Sequence, residues 1–217
     1  MYRMTEYSSL KGGHLSQNLY ADIRRDILKG EFRHGEKLSE QKICHKYSLS
    51  RTPVREALRQ LEIEGLIEAI PNRGAYVIGL SKEDIEDLFE LRKAYEALAV
   101  KWAIERITKE EMEKLEEAYE FMEFYTEKND AEKMLIINMQ FHNLIYKAAH
   151  NRILEHSLST YQIYLKEIGS SIAYLDGHLD DVLNEHKKIY DAFVSRDVEA
   201  GIEAVKNHLD NAKQRGS

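Results

Sequence analysis

A mostly α protein in two parts is predicted. An N-terminal winged helix-turn-helix with a small β-hairpin wing is expected over residues 10–78, and an antiparallel all-α bundle of about six helices over residues 79–217. Three observations predict it. Apolar residues recur at three- and four-residue spacing along nearly the whole chain, the mark of one buried helix face. Only 2 prolines and 11 glycines punctuate 217 residues, too few for a turn-rich chain. The pattern breaks once, over residues 66–78, where β-forming residues flank a turn cluster.

In the first part, Leu15, Leu19, Ile23 and Ile27 form a helical stripe that Gly30 ends. Phe32 to Lys37 reads as a turn-rich connection. Ser39 can cap a short helix from Glu40 to Tyr47, with Ile43, Cys44 and Tyr47 on its apolar side. Ser48-Leu49-Ser50 then turns tightly into a second helix, where Ser50 can cap and Pro53 sits in the first turn, its missing N–H costing little. Val54, Leu58 and Leu61 give that helix its apolar face, and Arg51, Arg55 and Arg59, four apart, give one exposed edge three guanidiniums. Hydroxyls and arginines at such a helix start suit DNA, because phosphates sit well at helix N-termini and Arg reads guanine with two hydrogen bonds. Gly65 offers the stop. Leu66–Ile70 and Ala75–Ile78 then flank Pro71-Asn72-Arg73-Gly74, a hairpin with Arg73 and Gly74 at its tip, able to meet phosphate or a minor groove.

The second part opens at Ser81-Lys82-Glu83-Asp84, an acidic helix start. Ile85, Leu88, Leu91, Tyr95, Leu98 and Trp102 carry the expected stripe of that helix. Thr108-Lys109-Glu110-Glu111 reads as a capping box ahead of Met112, Leu115, Tyr119, Met122 and Tyr125. Further helices are expected at about Ala131–Ala149, Arg152–Leu175, Leu179–Ser195 and Val198–Lys213, with breaks at Asn129-Asp130, His150-Asn151, Asp176-Gly177 and Arg196-Asp197.

The net charge of −7 divides unevenly, +3 over residues 1–78 and −10 over residues 79–217. A mildly basic module on an acidic body fits a nucleic-acid-binding part joined to one that is not. Cys44 is the only cysteine, so no internal disulfide forms and a reducing compartment fits. The first residues do not read as a signal peptide and no apolar run reaches transmembrane length, so a cytoplasmic protein without membrane contact is expected.

Three histidines fall on core-facing stripes of three different helices. His142 lies with Met134, Asn138, Ile145 and Ala149, His186 with Val182, Ile189 and Phe193, and His208 with Val205 and Ala212. Unpaired imidazoles are costly inside a protein. Asn138 precedes His142 by one turn and shares its face, so spacing allows a pocket of one oxygen and three nitrogen ligands. Spacing equally allows three histidines each satisfied by its own buried hydrogen bond. The other six histidines are assigned no role.

Ser50-Arg51-Thr52-Pro53-Val54-Arg55-Glu56-Ala57-Leu58, followed by Leu61-Glu62-Ile63-Glu64-Gly65-Leu66-Ile67 and Arg73-Gly74-Ala75-Tyr76-Val77, resembles the GntR family of bacterial transcription regulators over about residues 15–78. The resemblance implies that Ser50, Arg51, Thr52, Arg55 and the wing around Arg73 and Gly74 contact DNA; Arg59 joins them on its edge. Where some members carry an Arg at the start of the preceding helix, this chain has Gln41. Leu91-Arg92, Tyr95-Glu96, Asn138 with His142, Glu185-His186 and His208 resemble the FCD effector domain of the FadR-like subfamily, over about residues 80–213. That resemblance implies a divalent transition metal, zinc or nickel, held by Asn138, His142, His186 and His208. It also implies a small carboxylate effector completing the coordination, with Arg92 pairing to it. The family commonly has Asp where this chain has Asn138.

The resulting expectation is a repressor, not an enzyme, that binds an inverted-repeat operator in double-stranded DNA as a homodimer and answers to an organic acid. Two alternatives compete. A helical metalloenzyme would use the histidines to activate water or oxygen, but the chain lacks His-Glu-x-x-His and the Glu-x-x-His pairs of di-iron bundles. A purely structural metal would stiffen the bundle without an effector.

Overall fold

The computed structural model describes residues 17–168 and 177–215. Leu15, the start of the first part before residue 17, Asp176 and the end of the expected Arg152–Leu175 helix lie outside the described residues. The chain forms two compact units that divide between Glu83 and Asp84, a few residues beyond the expected joint at 78/79. The backbone accounts for the difference. Ile78 and Gly79 both donate their N–H to Leu66 O, at 2.9 and 3.0 Å, and so stay with the first unit.

The N-terminal unit runs α1 (residues 17–28), β1 (Lys37–Leu38), α2 (Glu40–Tyr47), α3 (Arg51–Ile63), β2 (Ile67–Ile70) and β3 (Gly74–Val77). Leu19, Ile23 and Ile27 of α1 pack as the stripe predicts, with Ile43, Val54, Ala57, Leu58 and Leu61, over one face of the sheet at Leu38, Ile67 and Val77. Ser39 caps α2 by accepting from the Lys42 N–H. Asp26 of α1 fastens α2 by accepting from Tyr47 and Lys46, both at 2.7 Å. At the end of α3, Gly65 turns left-handed (φ 79°) and lets Leu66 N–H return to Leu61 O.

The wing is a three-stranded antiparallel sheet in the order β1-β3-β2, with Leu38 opposite Ala75 and Ile70 opposite Gly74. β1 lies where a turn-rich connection was expected; two residues are too short to show alternation. At the tip, Asn72 (φ 61°) and Gly74 (φ 103°) carry the turn, and a Cβ on Gly74 would stand 3.0 Å from Lys37 Cε.

The C-terminal unit contains α4 (Lys82–Arg106), α5 (Lys109–Glu127), α6 (Ala131–Ala148), α7 (Arg152–Ile168), α8 (Leu179–Ser195) and α9 (Val198–Arg215). Thr108 and Glu111 close the expected capping box at the start of α5. α5 packs on α6 and α8, α6 on α7, and α8 on α9, around one core that includes Leu115, Met122, Phe141, Tyr146, Ile189 and Phe193.

α4 departs from its expected stripe. Leu91 and Leu98 are 48% and 36% exposed, whereas Glu96, Ala97, Ala99, Val100, Ala103 and Ile104 are buried. The buried face is built of small residues because α9 approaches it closely at Gly201. A Cβ there would fall 2.6 Å from Ile104 Cδ1 and 2.9 Å from Val100 Cγ1. A stripe traced through the largest apolar side chains therefore follows one edge of the buried face, where Tyr95 and Trp102 pack half-buried against the core while Leu91 and Leu98 stay exposed. Gly201→Ala is expected to destabilise the C-terminal unit by about 1–3 kcal/mol through overpacking, although alanine is the better helix former. Urea unfolding followed by circular dichroism measures the shift, and an unchanged midpoint would mean that α4 and α9 are farther apart.

Candidate metal centre and nucleic-acid interface

Burying Val54, Ala57, Leu58 and Leu61 turns Arg51, Thr52, Arg55 and Arg59 outward along one edge of α3. Ser50 holds the N-cap position with extended backbone (φ −75°, ψ 167°), but its exposed side chain makes no capping bond. The expected cap is absent, and the hydroxyl is left for an outside partner. The three arginines differ. Arg51 has no acidic partner among the described residues. Arg55 gives its Nε to Glu40 Oε1 at 2.7 Å. Arg59 lies side-on to Glu56, with Nη2 at 2.8 Å from one oxygen and Nε at 3.4 Å from the other. A groove between α3 and the wing is lined by Arg55, Arg59, Arg73, Gly74 and Lys37. These cations suit a phosphate backbone, and α3 suits a major groove.

In the C-terminal unit, helical register brings His142 of α6, His186 of α8 and His208 of α9 together. Their ligating nitrogens all lie within 4.8 Å of one another. His142, His186, His208, Asn138 and Glu96 are each at most 7% exposed. Every Nδ1 faces an oxygen. His186 Nδ1 donates to Val182 O at 2.8 Å, and a carbonyl can only accept, so the proton sits on Nδ1. His208 Nδ1 lies 2.8 Å from Glu185 Oε2. His142 Nδ1 lies 3.0 Å from Glu96 Oε2, though poorly aligned for a hydrogen bond. Nε2 is thereby left as the ligating atom of each ring. His142 Nε2 and His186 Nε2 approach to 3.2 Å.

Asn138 Oδ1 is buried without a partner. It shares with His142 and His208 a cavity of about 70 Å³ that Arg92, Gln162 and Lys166 also line. At about 10–15 Å³ for one water, that volume takes a metal ion and a few further heavy atoms. With the proton of each ring on Nδ1, the converging Nε2 atoms and the unpartnered Asn138 oxygen are acceptors facing one another, which fits a cation. Three imidazoles and an amide oxygen are ligands for a borderline divalent metal.

A buried carboxylate, Glu96, and a half-buried one, Glu185, back the histidines. Burial alone would raise the Glu96 carboxyl, but the Arg92 guanidinium, His142 and Tyr146 outweigh it and hold it well below the carboxylate range. Arg92 Nε and Tyr146 Oη both donate to Glu96 Oε1, each at 2.6 Å. Burial also raises the Glu185 carboxyl, yet Arg215, His208 and Asn211 bring it down to about 2. Arg215 grips it with Nη1 at 2.9 Å and Nη2 at 2.7 Å. With two Arg–Glu pairs closed and four neutral ligands, a divalent ion here would keep most of its charge, which favours an anionic partner.

Comparison with known proteins agrees with both units. Residues 15–77 match the model of the bacterial regulatory proteins of the gntR family, and residues 87–211 match the FCD domain. The Uxu operon transcriptional regulator of Escherichia coli is 31% identical over 220 residues, covering 92% of this chain and 85% of that protein. The HTH-type transcriptional repressor RspR of Escherichia coli is 27% identical over 199 residues, covering 90% and 86%. The chain belongs to the GntR family of bacterial transcription regulators and carries an FCD domain. The solved structure of Lar, which controls the agr system of Listeria monocytogenes, shares the fold with a TM-score of 0.70 at 18% identity, covering 93% of this chain and 95% of that one. This GntR regulator is a DNA-binding transcription factor rather than an enzyme, and no helix among its described residues is long and apolar enough to cross a membrane.

Of the predicted ligand positions of this regulator, Asn138, His142 and His208 line one cavity together with Arg92, and His186 joins them through its contact with His142 and His208. Gln162, Lys166, Glu185, Arg215, Tyr146 and a supporting role for Glu96 escaped sequence reading. A charged residue on a helix reads as surface, and no spacing rule points Glu185 or Arg215 at His208.

Burial pushes His208 down to about 4, against the pull of Glu185, and pushes His186 well below its ordinary value, helped by the neighbouring imidazoles. Unfolded histidine titrates near 6.5, so the metal-free unfolded chain binds protons that the folded bundle refuses. Stability is then full above about pH 6.5 and falls as pH drops toward 4, by on the order of 3 kcal/mol for His208. Glu185 is shifted in the same direction, down from its own reference, and its contribution is lost only at lower pH, as pH falls below about 4 toward 2. Thermal melts of metal-free protein between about pH 7.5 and 4.5 at constant ionic strength should show this loss. A flat profile would contradict burial of neutral histidines.

Proposed function

We propose that this regulator is a repressor that binds an inverted-repeat operator as a homodimer and is controlled by a small organic acid bound at a zinc or nickel ion in its helical unit, residues 79–217, with residues 10–78 as the DNA-binding module. The observation that carries the reading is the partly open cavity that joins Asn138, His142 and His208 to Arg92, with His186 against the other two histidines. When bound, the metal supplies a Lewis-acidic centre for an oxygen ligand. Asn138, His142, His186 and His208 hold it, and Arg92 orients the acid's carboxylate. Lys166 at the cavity adds positive charge. On DNA, Arg55 reads a base, Arg51 and Ser50 meet phosphate at the helix start with Thr52, Arg59 adds a backbone contact, and Arg73 and Gly74 bring the wing close.

The repressor reading follows the printed name of RspR. The homodimer reading follows from the inverted-repeat operator, whose two-fold symmetry a dimer of winged helices would mirror. An acid that prefers one arrangement of the bundle shifts the DNA affinity by its difference in affinity for the two states.

The test uses an operator fragment selected from genomic DNA by the purified regulator, with affinity read by fluorescence anisotropy. Arg51→Ala and Arg55→Ala are each expected to weaken binding about 10- to 100-fold, from roughly 1–3 kcal/mol per lost contact, while sedimentation shows an intact dimer. Adding small carboxylates to the zinc-loaded wild type should change the affinity, and Arg92→Ala should remove the response. Undiminished binding by both α3 variants would overturn the DNA interface. A zinc-loaded protein indifferent to every acid would make the metal structural.

A further inference from the structure

Glu96 is the most deeply buried carboxylate among the described residues, and it faces two functional groups at once. Its Oε1 accepts from Arg92 Nε and Tyr146 Oη, each at 2.6 Å. Those two donors fill the oxygen on the arginine side. Its Oε2 has a different outlook, toward His142 Nδ1 at 3.0 Å. Arg92 alone would satisfy a carboxylate kept only for packing. A second oxygen aimed at a ring nitrogen answers a different need.

We infer that Glu96 is a positioning residue for the metal centre, keeping the proton of His142 on Nδ1 so that Nε2 points a lone pair at His186 and His208, while the same carboxylate holds Arg92 at the cavity. The inference rests on the metal reading above. A lone pair on Nδ1 would face the ionised oxygen at 3.0 Å. This contact, though poorly aligned for a hydrogen bond, therefore favours hydrogen on Nδ1 over the competing tautomer in which His142 Nε2 would donate to His186 Nε2 at 3.2 Å. The other two rings reach the same state through Val182 O and Glu185. Glu96 alone among these three supports also touches the arginine that lines the cavity. Displacing Arg92 toward an incoming acid leaves the carboxylate's charge to His142, which raises that imidazole's strength as a ligand. Acid and metal are then linked through one side chain, and each strengthens binding of the other.

Glu96→Gln tests this with almost no change of shape. The amide oxygen stays with its two donors, Arg92 and Tyr146, and the NH2 group turns to His142 Nδ1. Nδ1 must then accept, and the proton moves to Nε2, the atom needed for coordination. Zinc affinity, read by competition with a chromophoric chelator, is expected to fall about 10- to 100-fold, and acetate, which should tighten zinc binding in the wild type, should no longer do so. Long-range proton–nitrogen NMR of the metal-free proteins should show Nδ1 of His142 protonated in the wild type and bare in the variant. Unchanged zinc affinity in a folded variant, or a bare Nδ1 in the wild type, would overturn the inference. The wild-type spectrum decides it even where the variant does not fold. A wild type that takes no zinc would remove both the metal reading and this inference, whereas a loss confined to the variant supports both.

Discussion

Three imidazoles packed edge to edge in a helical core set the constraint on which the C-terminal unit depends. Each ring brings two nitrogens, and a buried nitrogen without a partner costs about 1–3 kcal/mol. The bundle meets part of this demand from behind, with a carbonyl on His186 Nδ1 and Glu185 on His208 Nδ1, sets Glu96 3.0 Å from His142 Nδ1, and leaves the Nε2 atoms converging. The carboxylates create a second demand, since a buried charge must be paired. Arg92 and Arg215 meet it. One cluster of ligands thus dictates charged residues on α4, α8 and α9 that a merely stable bundle would do without. The arrangement sacrifices stability for a poised site, as functional sites commonly do.

The N-terminal unit solves the opposite problem, keeping cations outside. Its core is small and wholly apolar, and the arginines of α3 stand on the face that this core leaves over. Glu40 and Glu56 partner two of them. Exposed pairs of this kind are worth little and exchange readily for phosphate. Arg55 keeps its guanidinium fork beyond the single bond to Glu40, whereas Arg59 is held side-on. The two are therefore unequal in what they can offer an outside partner.

Much of this was legible in the sequence, for reasons that differ by element. Helices with strong periodicity and clear punctuation, such as α5 behind its capping box and α8 between Gly177 and Arg196, appear where the pattern puts them. The histidine stripes were legible because a polar residue repeated on an apolar face is conspicuous. β1 was not, because two residues carry no period. The buried face of α4 was only partly legible, because bulk does not mark burial there: Leu91 and Leu98 stay exposed, while Val100 and Ile104 meet α9 at Gly201. Glu96, Glu185 and Arg215 stayed hidden for a common reason. Their roles come from tertiary pairing across helices, and one-dimensional spacing records only what lies on a single helix. Asn138 was visible as a ligand candidate, and its unpartnered oxygen is something only the packed bundle shows.

The two units share one chain, and α4, which carries Arg92 and Glu96, begins at Lys82 just past the last wing strand. A ligand that moves these side chains acts on the helix nearest in sequence to the DNA-binding unit. The account stands or falls on what the converging nitrogens hold. X-ray absorption at the zinc edge of the zinc-loaded regulator addresses this directly. The account predicts a first shell of three imidazole nitrogens together with oxygen, and no sulfur. A shell made mostly of oxygens, or one with fewer than three imidazoles, would contradict it and would leave the histidines as core residues only.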